Sequence, residues 1–460
     1  MTRIFTPRPY GQLITDHILE VERAAVWAGM GMGKTVSTYN ALDVLQLLDS
    51  RPVLVVGPLR VIATTWPDEA KKWAHLRHLH VLPILGNERT RLAALRQDAN
   101  IYTINFEQLP WLVKHYEKRV WPFKTVVVDE STKLKGYRLR QGTARAKALG
   151  TIAHTQCERF IELTGTPSPN GLADLWGQIW FLDKGQRLGR TYDDFKKRWF
   201  RPKHNGYGSE PLEHAQDQIQ RALADLCVSI DAKDWFDLKA PIVNNIYVDL
   251  PAKARSLYED MEKRMFMELS GHEVEAFGAA ARTIKCLQIA NGAAYVGEGN
   301  TEWVEVHDAK LQALEEVVEE ACGMPVLVAY QFKSDLARLQ HTFKDTAITL
   351  NSTEGLRRAQ RGEGKVWLGH PASMGHGVDG LQEHTNILSF FGHDWNLENR
   401  LQIIERIGPT RQMQSGKDRP MFIHNIIARG TVDEMVLERV ETKREVQDIL
   451  LAAMKRKGIR

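Results

Sequence analysis

A chain of 460 residues with 43% hydrophobic content can bury a large core, which points to an ordinary globular protein of two or three domains. Its 61 Lys and Arg stand against 57 Asp and Glu, a formal charge of +4 that permits a polyanionic partner without demanding one. The four cysteines, Cys157, Cys227, Cys286 and Cys322, are widely spaced with no Cys-x-x-Cys and no nearby histidine set, which argues against a disulfide framework or a zinc site and fits a reducing cytosol. The N-terminus MTRIFTPRPYGQL has no apolar signal core and no apolar run is long enough for a membrane span, so a soluble, cytoplasmic protein is expected.

In chain order, the first predicted strand is ERAAVW, followed by VLVVG (Val53 to Gly57), NIYTIN (Asn100 to Asn105), TVVVDE (Thr125 to Glu130) and RFIELTG (Arg159 to Gly165). Apolar runs without polar alternation are what strands buried on both faces look like, and the gaps between them leave room for crossover helices. A parallel α/β sheet is therefore expected. Between the first two strands lies AGMGMGKT, residues Ala28, Gly29, Met30, Gly31, Met32, Gly33, Lys34 and Thr35, and then VSTYNALDVLQLLDS with helical apolar spacing. Glycines let backbone N–H groups fold around phosphate, a lysine reaches the β and γ phosphates, and a threonine hydroxyl can ligate magnesium. This is a P-loop, a site for a nucleoside triphosphate and Mg²⁺; that the nucleotide is ATP follows only from the resemblance given below. A P-loop needs carboxylates at the end of a second buried strand. VVVDEST supplies them: Asp129 as the magnesium-side carboxylate and Glu130 as the group that polarises the attacking water.

Residues 184–240 read as polar, aromatic-dotted and helix-like, and 252–300 as helices. The alternation then resumes with VLVAY, AITL, KVWLG, TNILSFF and MFIHNIIA. Two stretches, KLKGYRLRQGTARAK and DDFKKRWFRPKH, interleave basic and aromatic residues, which suits either phosphate contact with base stacking or an ordinary solvated face. HLRHLH lacks the carboxylate or cysteine partners of a metal site and reads as a surface junction.

Two further stretches, GPLRVIATTWPDEAKKW and FIELTGTPSPNGLADLWGQIWFLD, resemble motifs Ia and III of the Swi/Snf family of superfamily-2 helicase-like ATPases, and AxxGxGKT is a P-loop form that superfamily shares. DAKLQALEEVVEEACGMPVLVAYQF resembles the family's lysine-led helix and motif IV, PASMGHGVDGLQ motif V, and HDWNLENRLQIIERIGPTRQ motif VI. The resemblance covers almost the whole chain, whose short length is similar to compact bacterial or phage-encoded members.

It implies two RecA-like parallel-sheet lobes with helical insertions: lobe 1 over 1–183, a helical protrusion or linker over 184–240, and lobe 2 over 241–460 with an insertion at about 252–300. It also implies that motif VI supplies an arginine finger to the γ-phosphate. The family's second motif VI arginine is replaced here by Pro409, so Arg406 is the first choice for the finger. Arg411 either takes the second role or braces the motif. The adenine-reading segment runs Pro9-Tyr10-Gly11-Gln12, with Gln12 one position late, and Gly377 and Asp379 of motif V are expected near the nucleotide. By motif, Arg60, Gln331, Lys333 and Ser373 are expected phosphate contacts on a DNA track, which position the protein without reading sequence. Trp395 either couples the lobes or is a core aromatic. The expected activity is DNA-stimulated ATP hydrolysis driving translocation on duplex DNA. A strand-separating DNA or RNA helicase is the alternative, and a non-catalytic scaffold is disfavoured by the presence of Lys34, Asp129, Glu130 and Arg406 together.

Overall fold

A computed structural model describes residues 4–29, 31–139, 142–202, 209–269, 276–296, 302–374, 378–417 and 419–455. The chain divides into two compact units, one built from Met1–Trp235 with Lys443–Arg460 and the other from Phe236–Thr442.

The first unit holds β1 (Arg23–Ala28), β2 (Val53–Gly57), β3 (Val81–Pro83), β4 (Ile101–Asn105), β5 (Thr125–Asp129), β6 (Arg159–Thr164), the hairpin β7 (Phe200–Pro202) and β8 (Ser209–Pro211), and β9 (Cys227–Ile230). Seven of these form one sheet in the order β3-β4-β2-β5-β6-β1-β9, with every pairing parallel. The five expected strands are all present, because Val126, Val127 and Val128 and their counterparts are buried whichever face they point to. Three strands, β7, β8 and β9, lie where helix was expected. β9 is four buried residues, CVSI, beside β1, so the first unit continues past residue 183 to Trp235. The helices Tyr192–Trp199 and Ala215–Leu223 contribute Phe195, Trp199, Ile219 and Leu223 to the same core as Val126, Phe160 and Trp176, and so belong to this unit's interior packing.

The second unit holds β10 (Ile242–Val248), the hairpin β11 (Ala293–Val296) and β12 (Glu302–Glu305), then β13 (Val326–Ala329), β14 (Ala347–Thr349), β15 (Val366–Gly369), β16 (Ile387–Phe390) and β17 (Phe422–Ala428). Its six-stranded sheet runs β10-β17-β16-β13-β15-β14, again entirely parallel. The two-lobe parallel α/β architecture is thus the one expected. Helices Ala252–Leu269 and Ala276–Asn291 occupy the expected helical insertion, which closes with β11 instead of more helix.

A buried polar chain ties this unit together. Lys310 Nζ lies 2.6 Å from Asp433 and 2.8 Å from Asn291 Oδ1, both ends of the ion pair being fully buried. Asn291 Nδ2 donates to Asp335 Oδ2, which also accepts the backbone N–H groups of Gln331 and Phe332 at the start of helix Lys333–Phe343. Among the described residues no helix is long and apolar enough to cross a membrane.

Candidate nucleotide site

The loop after β1 turns on two glycines in the left-handed region, Gly31 at φ 78° and Gly33 at φ 70°, a conformation that a β-carbon disfavours. Gly33 then opens helix Lys34–Leu48 with no side chain capping it, so the first-turn N–H groups and the positive end of the helix dipole face outward toward the loop. That is the geometry of an anion site. Lys34 folds its ammonium back over the loop, donating to the carbonyls of Ala28 at 2.6 Å and Gly29 at 3.1 Å. Met32 N–H closes onto Gly29 O, and Thr35 stands half-buried in the first helical turn. Met30 lies outside the described residues.

β6 separates β1 from β5, and Gly165 at its end packs so closely on the P-loop that a β-carbon there would lie 3.3 Å from Ala28 O. On the far side, β5 ends in Asp129, buried, with Oδ2 accepting the Trp66 indole N–H at 2.9 Å. Burial raises the Asp129 carboxyl above its ordinary value, opposed by the Trp66 hydrogen bond, the charge of Lys34 and the Glu130 N–H. Lys34 and Asp129 therefore share one electrostatic neighbourhood. Glu130 sits at φ 63°, an unusual left-handed position for a residue with a side chain, and is also buried.

Two contributors escaped the sequence reading. Trp66 lies on helix Trp66–Lys72, and its carbonyl is held by Tyr39 Oη of the P-loop helix. The Tyr10 ring is buried beside the loop, 4.0 Å from where a β-carbon on Gly33 would stand, while Gln12 is exposed and its amide donates to Asp16. The pattern TTW and the Pro-Tyr pair stand in the sequence, but nothing local aims either ring at a loop far along the chain.

In the second unit, Arg406 is buried near the end of helix Leu397–Ile407 and donates to Val378 O at 2.9 Å. Arg411, on the following helix Pro409–Gln414, pairs with Asp379. Both arginines thus grip the same two-residue segment, joining motifs VI and V, and Gly377 beside it lies outside the described residues. Trp395 packs on the cluster containing Leu397 and Val432, as a core aromatic does.

Of the expected track residues, Gln331 and Lys333 follow β13 and Ser373 follows its parallel neighbour β15, while Arg60 belongs to the first unit. Arg60 is half-buried and pairs with no acid among the described residues, and burial lowers its guanidinium from the ordinary value. Gln331 has a buried Oε1 without a partner, its backbone N–H being held by Asp335. Lys333, the first residue of its helix, and Ser373, in the short helix Pro371–Met374, are both exposed. The two basic stretches are joined to their own aromatics: Arg138 lies 3.4 Å over the Tyr192 ring, Lys196 3.8 Å over Phe200, and Arg198 4.3 Å over Trp199. His75 and His78 bond to Asn40 and Asp43 of the P-loop helix.

A family profile described as SNF2-related domain matches residues 27–306. A protein called p41 from Acyrthosiphon pisum secondary endosymbiont phage 1 is 53% identical over 462 residues, covering 99% of this chain and 100% of its own. YwqA of Bacillus subtilis (strain 168), named as an ATP-dependent helicase/translocase, is 23% identical across 97% of this chain, which spans 49% of that protein's length. Among solved structures, the Sulfolobus solfataricus SWI2/SNF2 ATPase core in complex with dsDNA aligns over 98% of this chain and 94% of its own at 22% identity, with a TM-score of 0.45.

Proposed function

The chain belongs to the SNF2-related family of helicase-like ATPases, and from that premise we propose that it hydrolyses ATP to ADP and phosphate to drive its own movement along duplex DNA without separating the strands. The observation that carries the catalytic half is the placing of the P-loop after β1 and of Asp129 at the end of β5, the two strands that flank β6, with Lys34 at a helix N-terminus that no side chain caps. A cation on a phosphate-binding loop and a buried carboxylate at a neighbouring strand end are the two halves of a Mg-ATP site, so these residues fit the group.

Lys34 and the first-turn N–H groups bind the β and γ phosphates, and Thr35 and Asp129 hold the metal, Asp129 oriented by Trp66. Magnesium, when bound, supplies charge neutralisation across those phosphates. Glu130 takes the position that directs water. Tyr10, beside Gly33, is the better-placed base contact than Gln12, whose amide is engaged with Asp16. By the family's motif VI, Arg406 is the proposed finger for the γ-phosphate, its guanidinium held at Val378 O, and Arg411 braces it through Asp379, the proposed motif V contact to the nucleotide.

The DNA half rests on family membership together with Arg60, a half-buried cation with no acid partner among the described residues, and on the exposed Lys333 and Ser373. Gln331 adds a fourth contact. Triplex displacement tests the movement: ATP-dependent release of a third strand from duplex DNA, lost in Lys34→Ala, is the expected result. Release of one strand from a fork with no triplex displacement would instead identify a strand-separating helicase.

A further inference from the structure

Helix Leu175–Asp183 is buried along its whole length, and its one amide side chain, Gln178, is 2% exposed. That amide joins two loops. Nε2 lies 2.7 Å from Pro167 O and 3.0 Å from Asp174 O, and Oε1 lies 2.9 Å from Ser131 Oγ. Backbone carbonyls only accept, so the nitrogen faces them and spends both of its hydrogens there. The amide oxygen is then turned to Ser131, whose hydroxyl donates to it. Ser131 and Pro167, the two ends of the bridge, are themselves buried.

The joined loops are the ones that border the candidate site. Ser131 follows Glu130 directly and opens the turn Ser131–Leu134. Pro167 lies in the loop after β6, just past Gly165, which packs on Ala28 O of the P-loop. A second contact ties the same helix to the same turn: a β-carbon on Gly177 would stand 2.5 Å from Lys135 O and 2.7 Å from Leu134 O, so helix and turn meet backbone to backbone. Glu130 holds φ 63° and ψ 59°, a left-handed conformation that a residue with a side chain keeps only where its surroundings fix it. The helix supplies that hold, Gly177 by letting the turn come close and Gln178 by pinning its first residue.

We propose that Gln178 is a positioning residue for hydrolysis: its amide clamps the turn that follows Glu130 to the loop after β6, so that the water-directing carboxylate keeps a fixed place relative to the P-loop. It acts through Ser131 and Pro167. The proposal rests on the ATPase reading of the same site.

The test is a double-mutant cycle on the full chain with duplex DNA present, pairing Gln178→Met, which keeps length and bulk, with Ser131→Ala. Each single variant should lower kcat about tenfold with KM for ATP within about twofold, and the double variant should lose no more than about tenfold, because both changes cut one link. Unchanged kcat in either single variant, a loss carried mainly by KM, or losses that multiply to about a hundredfold would each overturn the proposal. Should Gln178→Met not fold, Ser131→Ala decides alone on the same split between kcat and KM. Hydrogen–deuterium exchange of the nucleotide-free protein reads the clamp without turnover: both variants should exchange faster than the wild type over 131–137 and over 166–171, and unchanged exchange in either segment overturns the clamp. A wild type that hydrolyses no ATP defeats the functional reading, while the exchange still decides whether Gln178 holds the two loops.

Discussion

Asp129 is positioned from outside its own strand: the indole N–H that orients it belongs to a residue 63 positions earlier. Trp66→Phe keeps the buried ring and deletes the donor. A hydrogen bond to a charged acceptor is worth about 1.5–3 kcal/mol, so ATP turnover should fall roughly ten- to hundredfold, most at low magnesium. Steady-state rates across a magnesium titration check this, and an unchanged curve would remove Trp66 from the site. The two arginines separate in the same way. Arg406→Ala should lower kcat about a thousandfold if it is the finger, and Arg411→Ala, which removes only the grip on Asp379, should cost much less. Equal losses would make both fingers. Lys34, Asp129 and Glu130 stand out in the sequence because a glycine-rich loop after β1 carries the first and the end of the apolar β5 carries the other two. The pairing of Arg411 with Asp379 does not, since it joins residues 32 positions apart that no local pattern relates.

At the level of elements, strands buried on both faces announced themselves as apolar runs, which is why VLVVG, TVVVD and VLVA were readable as β2, β5 and β13. β9 was hidden because it is four residues after a helix, and β10 because its residues are largely exposed at a sheet edge, where Asn244 and Asn245 interrupt the apolar pattern. The buried chain in the second unit was equally silent. Removing one end of it by Lys310→Ala strands Asp433 without its cation, and unfolding of the second unit should become easier by about 3–5 kcal/mol, read by denaturant titration. Asp335 adds a pH signature. Burial pushes its carboxyl up to about 6, so the stability its neutral form contributes is fully present below about pH 4 and lost as pH rises through about 6. Asp335→Asn retains an oxygen for the three N–H donors and removes the ionisation. Its Tm should therefore gain on the wild type as pH rises from about 4 to about 7, and a constant difference would contradict the assignment.

For the whole molecule, the proposed function divides one chemistry between two parallel-sheet units: phosphate loop, Asp129 and Glu130 in the first, Arg406 in the second. That proposed division is taken from the order of the motifs along the chain, which is the family's order. The track is legible only in part, because Arg138, Lys196 and Arg198, the most suggestive cations, stack on the protein's own rings, leaving Arg60, Lys333 and Ser373 as the less conspicuous candidates. The central claim is that ATP hydrolysis is coupled to duplex DNA, and the direct measurement is the steady-state ATPase rate with no nucleic acid, single-stranded DNA, duplex DNA, forked DNA and RNA, with Lys34→Ala as the blank. The account predicts strong stimulation by duplex DNA and none in the variant. Stimulation confined to single strands or RNA, or no hydrolysis on any of them, would contradict it.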